Sequence, residues 1–178
     1  MKNLFKKTLV VLMAMSIVGA FSITSTAENL KQSIGIADEM VLVGEDIEYL
    51  GNGLVLVTTI HQQVEPFSNE TIYSTNNSTY TKTGSKTQTF RNSLNEVLFS
   101  YTVNGTFRVN PGVSASCTSS TASRSINSSA WSLSSSTASR SGNRAMATGV
   151  FNRRLLGIVV ETRTLNLTLT CNVNGVLS

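Results

Sequence analysis

Histidine and tryptophan each occur once in this chain of 178 residues, and cysteine and proline twice. A Ser–His–acid relay needs an imidazole within reach of a serine held on a sharp elbow. His61 instead follows Thr58-Thr59-Ile60 on an expected strand, and elbow-type glycines flank no serine. Two thiols and one imidazole do not fill a four-ligand zinc site. Around Glu45, Asp46 and Glu48 there is no Asp-rich, Gly-containing calcium loop, and no glycine-rich phosphate cradle occurs. Beyond Tyr80 the only acids are Glu96 and Glu161, so the paired carboxylates of a glycosidase find little material there. The expectation is a non-catalytic chain with no cofactor and no metal.

Long apolar runs are also scarce. The one of note opens the chain. Lys2, Lys6 and Lys7 make a cationic start, Thr8 to Phe21 is apolar, and Ser25-Thr26-Ala27 is a small-x-small cleavage site. This reads as a signal peptide over 1–27. Its run is short of the roughly 20 apolar residues of a membrane span, and no transmembrane span is expected after cleavage.

Removing that leader alters the charge balance. The formal +4 includes its three lysines. What remains is close to neutral but segregated. Glu28 to Tyr80 holds eight acids and one base, whereas Thr81 to Ser178 holds ten bases and two acids. A whole-chain argument for nucleic acid therefore fails. Two readings of the segregation stand: an acidic arm lying against a basic domain, or a basic face free for an anionic partner such as wall polymer or anionic lipid.

No apolar stripe at helical spacing survives cleavage. Period-two alternation is everywhere instead. Leu165-Asn166-Leu167-Thr168-Leu169-Thr170-Cys171 is a half-buried strand ending in a cysteine. Val97, Phe99, Tyr101, Val103, Gly105, Phe107 and Val109 share one parity of a second long strand, with a bend expected at Gly105. Asp46–Leu50 and Leu54–His61, joined by Gly51-Asn52-Gly53, read as a hairpin. Thr79 to Phe90 is one bulged strand or a hairpin, and Asn152-Arg153-Arg154 is expected to make a bend. The apolar parity changes between Ile158, Val160 and Leu165, which calls for a bulge near Glu161–Thr164.

These strands suggest an all-β chain: a single β-sandwich over 46–178, preceded by a loosely ordered acidic arm over 28–45 and the signal-peptide helix. Val113, Ala115 and Cys117 share a parity just as Leu169 and Cys171 do. In an exported chain that points to an inter-strand disulfide, Cys117 to Cys171. Ser119-Ser120-Thr121-Ala122-Ser123-Arg124-Ser125 recurs unchanged at Ser135–Ser141. The repeat suggests that Arg124 and Arg140 share a surface. Arg140, Arg144, Arg153, Arg154 and Arg163 make the densest basic region, and Arg suits planar anions. Arg124, Arg140, Arg144, Arg153, Arg154 and Trp131 form a candidate ligand surface. Trp131 is also a candidate core anchor.

Cys117, Trp131 at fourteen residues and Cys171 resemble the Cys…Trp…Cys spacing of immunoglobulin domains. Leu169 stands where that family has its corner tyrosine, and seven residues follow Cys171. The resemblance implies an immunoglobulin-like sandwich in a loose sense, with no strand order. Trp131-Ser132-Leu133-Ser134, Leu156-Gly157, Val160-Glu161-Thr162 and Leu165-x-Leu167-x-Leu169-x-Cys171 also resemble small, uncharacterised secreted proteins of Gram-positive bacteria. That resemblance covers roughly 97–178 and implies export and one β-domain, with no activity.

The expected function is a secreted binding module, extracellular or at the cell envelope, whose partner is an anionic cell-wall polymer or a surface protein. A small membrane-active β-toxin or bacteriocin is the first alternative, with Val97–Val109 as a spanning strand. An unrecognised hydrolase around His61 is the second.

Overall fold

The computed structural model describes residues 39–51, 53–64 and 78–178. The expected signal peptide, the arm up to residue 38 and most of the 62–77 loop lie outside the described residues. Among the described residues there is no helix. Eight strands follow in chain order: β1 (Met40–Gly51), β2 (Leu54–Gln63), β3 (Tyr80–Arg91), β4 (Val97–Asn110), β5 (Ser114–Ile126), β6 (Trp131–Ser141), β7 (Arg144–Leu155) and β8 (Ile158–Thr170). They form two antiparallel sheets, β1-β2-β3-β4-β5 and β6-β7-β8. Met40–Glu45, expected in the arm, therefore belong to β1, the outer strand of the larger sheet.

The alternation in β4 dictates where the core lies. Phe99, Tyr101, Val103, Phe107 and Val109 are all fully buried, while the residues of the other parity are not. Opposite them, Ala145, Ala147 and Phe151 of β7 and Leu165, Leu167 and Leu169 of β8 form the facing layer. Phe99 joins the sheets: its ring stacks on Phe151 at 4.2 Å, and Phe90 and Trp131 each lie 4.8 Å away. Trp131 is thus a core anchor rather than an exposed stacking surface. Tyr101 crosses the core, and its hydroxyl donates to the Thr148 carbonyl at 2.9 Å. That leaves Ser136 Oγ to donate back to it at 2.8 Å. A Cβ at Gly149 would stand 2.9 Å from the Tyr101 ring, so only glycine fits beneath it.

Each sheet joins its strands in sequence order, as a meander. The immunoglobulin fold instead uses Greek-key connections. The likeness therefore extends to two packed sheets and not to connectivity. The bridge expected between Cys117 and Cys171 is absent: both are buried free thiols. The Cys117 thiol donates to the Ser119 carbonyl at 3.2 Å, and the Cys171 thiol to the Asn172 carbonyl at 3.6 Å. Cys117 lies in β5 and Cys171 just past the end of β8, yet their backbone N–H groups bond the carbonyls of adjacent residues, Gly142 and Asn143.

One open alternative is settled and two local expectations shift. Thr79–Phe90 is one strand, and its Gly84 faces Gly105 across β3–β4 rather than turning. The β7–β8 bend falls at Leu156-Gly157, not at Asn152–Arg154. Leu156 (φ 50°) and Gly157 (φ 84°) are both left-handed, the requirement of a two-residue hairpin turn whose twist matches its strands. The parity change in β8 is repaired one residue before the expected stretch. Arg153 faces Glu161 and Arg154 faces Val159, leaving Val160 as the bulged residue.

The meander sorts its turns to two ends. The β1–β2, β3–β4, β5–β6 and β7–β8 turns gather at one, the hairpin end. There the N–H of Arg154 bonds Ala130 O, and that of Asn127 bonds Leu98 O. At the other, the tail end, the last residues fold back. Thr170 and Ser178 exchange backbone hydrogen bonds, and Asn172 Oδ1 accepts from the N–H groups of Asn174 and Val176. This seats Leu177 directly over Gly84, a position with no room for a side chain.

Candidate functional site: a basic cleft at the hairpin end

Beyond the bulge, β8 keeps one parity facing inward. Leu169, Leu167 and Leu165 are buried; the next two residues on that face are Arg163 and Glu161, both half-buried. β7 does the same, with Phe151 opposite Arg163 and Arg153 opposite Glu161. The inner faces of both strands thus change from apolar to charged where they leave the core.

Arg163 Nε donates to Glu161 Oε1 at 2.6 Å, and Arg153 Nη1 lies 3.7 Å from Glu161 Oε2. The Arg163 guanidinium also lies 5.9 Å from the centre of the Phe90 ring, within cation–π range. Two guanidinium groups share one carboxylate, leaving one net positive charge. Ten N–H donors against one carboxylate leave most of the donors unspent. These groups border a cleft of about 440 Å³, with Asn92, Ser128 and Trp131 on its other walls. Next to it, Arg91 donates to Asn95 Oδ1 at 3.2 Å, while its buried Nε has no hydrogen-bond partner among the described residues.

The expected ligand surface is divided by the fold. Arg153 and Trp131 meet at this cleft, and exposed Arg154 is adjacent, its Nη1 donating to Gly157 O at 3.5 Å. Arg124 stands exposed on β5, two residues from its hairpin end. Arg140 is at the tail end, where it donates to the Cys117 and Thr118 carbonyls. The repeat therefore separates Arg124 and Arg140. Thr118 is six residues before Arg124, about 20 Å along a strand. Thr118 is the bulged residue of β5, since Thr106 faces Ser119 and Phe107 faces Cys117. Arg140 thus straps an interrupted ladder. Arg144 is exposed beside the β6–β7 turn. The role of Glu161 was hidden because nothing in its neighbourhood marks it as the acid between two bases. Its two-residue spacing puts it on the face of Arg163, but only the pairing with β7 sets Arg153 opposite it.

Burial raises the Cys117 thiol above its ordinary range, against the Ser119 hydrogen bond and the charge of Arg140. Burial raises Cys171 likewise; Lys82 opposes the shift and the nearby Cys117 adds to it. His61 faces Leu42 on one side and Ser85 on the other, and its ring makes no hydrogen bond among the described residues. Among the described residues no cluster of three His, Cys, Asp or Glu side chains could hold a metal, and no helix is long and apolar enough to cross a membrane. The apolar face of Val97–Val109, which a β-toxin would turn to lipid, is the packed core.

No protein-family model matches the chain, and no curated protein and no solved structure matches it.

Proposed function

We propose that this chain is an exported, non-catalytic binding module held at the cell envelope by anionic wall polymer. The observation that carries this reading is the meeting of Arg153 and Arg163 on one carboxylate at the open end of the sandwich. Glu161 fixes the two guanidinium groups in place without neutralising both. Arg154 and Arg91 add charge at the same end. A repeating phosphate polymer offers anions with two free oxygens each at short intervals, the partner that several guanidinium forks suit. Export follows from the cationic start, apolar run and small-x-small site of residues 1–27.

In the exported form Cys117 and Cys171 are joined. Both are buried, and both are tied to the Gly142-Asn143 turn. The bridge would tie the larger sheet to the end of the smaller one. Chain entropy for a loop of this length gives about 4 kcal/mol as an upper guide.

The test is retention of the mature protein on immobilised poly(glycerol phosphate). Retention falls with rising salt, and falls again when Arg153 and Arg154 are replaced by Ser. Retention indifferent to both salt and substitution contradicts the reading.

A further inference from the structure

The β7–β8 hairpin carries more than its arginines. Beyond the Arg153–Glu161 pair it runs Arg154-Leu155-Leu156-Gly157-Ile158-Val159-Val160, and all five aliphatic side chains in that stretch are exposed. Leu156, at the tip, is 96% exposed. It also adopts the left-handed conformation, with φ 50°. Leucine is poorly suited to that region, where Asn or Asp would serve a turn before glycine. Neither packing nor turn chemistry accounts for a leucine there. Leu94 (76% exposed) in the β3–β4 turn and Tyr49 (80% exposed) near the β1–β2 turn belong to the same end of the sandwich.

We infer that the hairpin end docks on an anionic lipid bilayer, with Leu155, Leu156 and Ile158 entering the headgroup boundary. The dimensions fit. From Arg153 to Leu156 is three residues, about 10 Å of extended chain, and interfacial apolar groups bury to roughly 5–10 Å. Arg153 and Arg154 then stand at the level of the lipid phosphates, where long cationic side chains keep their heads while their stems pass through apolar surroundings. Charge argues for lipid over a second copy of this chain. A symmetric tip-to-tip pair would set Arg153 and Arg154 of both copies against each other, whereas an anionic surface attracts all of them. The inference rests on the envelope location of the preceding reading, but not on the polymer.

The test is co-sedimentation of the mature protein with vesicles of phosphatidylcholine alone and of phosphatidylcholine with phosphatidylglycerol. Binding to the anionic vesicles is expected, with little to the neutral ones. A Leu155→Ser/Leu156→Ser variant should lose about tenfold or more of its partitioning while keeping its retention on poly(glycerol phosphate). These two side chains face solvent, so the variant should melt like the parent. Arg153→Ser/Arg154→Ser should lose partitioning too, by about tenfold, together with polymer retention. The inference is overturned if the parent does not bind anionic vesicles, if the leucine variant binds them as well as the parent, or if the leucine variant's only effect is to dissolve a dimer in solution. Polymer retention that fails while vesicle binding behaves as expected overturns the polymer reading alone.

Discussion

Glu161 and Arg163 stand two residues apart on one face of β8 and meet at 2.6 Å where the strand leaves the core. The pair is partly exposed, and such pairs contribute about 0–1 kcal/mol. Its effect on binding is larger than its effect on folding. Glu161→Gln should shift the melting midpoint by only a few degrees, yet raise the salt needed to elute the protein from anionic polymer, because Arg153 and Arg163 lose their shared counter-charge. Elution at lower salt than the parent would mean that positioning by Glu161 outweighs its charge.

Gly149 makes room for Tyr101. Gly149→Ala places a methyl 2.9 Å from the ring, and overpacking of this kind costs about 1–3 kcal/mol. Tyr101→Phe removes the donor to Thr148 O and the acceptor for Ser136. About 0.5–1.5 kcal/mol should be lost with the hydrogen bond. Urea denaturation of both variants measures these losses.

Much of this architecture was legible in advance. Val97–Val109 alternates without interruption and became the central core strand, and Gly51 and Gly53 marked the first hairpin. Period two marks a face but not a partner, so the meander order and the pairing of Gly84 with Gly105 were not readable. Turn chemistry misled at Arg153-Arg154, because polar residues suggested the bend while the left-handed backbone belongs to Leu156-Gly157. The basic site was half legible. Arg153 and Trp131 belong to the expected surface, and the spacing of Glu161 and Arg163 puts them on one face, but period two does not say that Arg153 of the neighbouring strand stands opposite Glu161. Arg124 and Arg140 looked alike in sequence and serve opposite ends, because antiparallel strands run apart from their shared turn.

The cysteines yield a pH-dependent prediction. In the reduced protein burial raises both thiols, so the folded chain holds those protons more tightly than the unfolded chain. Their contribution is complete below the ordinary thiol value of about 8.5, and declines as pH rises through the raised values. The oxidised protein should lack this alkaline decline and be more stable by about 2–4 kcal/mol. Urea midpoints with and without reductant, across alkaline pH, decide it; identical midpoints would mean that no bridge forms.

Leu177 closes the tail end over Gly84. Leu177→Ala should cost about 2–5 kcal/mol, as buried leucine truncations do. It should leave polymer retention at low temperature unchanged, since it is remote from the basic cleft. Thermal melting and retention of the same sample separate the two effects.

The central claim is that the basic hairpin end, and not the charge of the chain as a whole, binds the anionic partner. Its most direct measurement compares two variants of equal charge on poly(glycerol phosphate): Arg153→Ser/Arg163→Ser at the hairpin end, and Arg108→Ser/Arg144→Ser toward the tail end. Retention should collapse in the first and hold in the second. Equal losses in both would contradict a localised site.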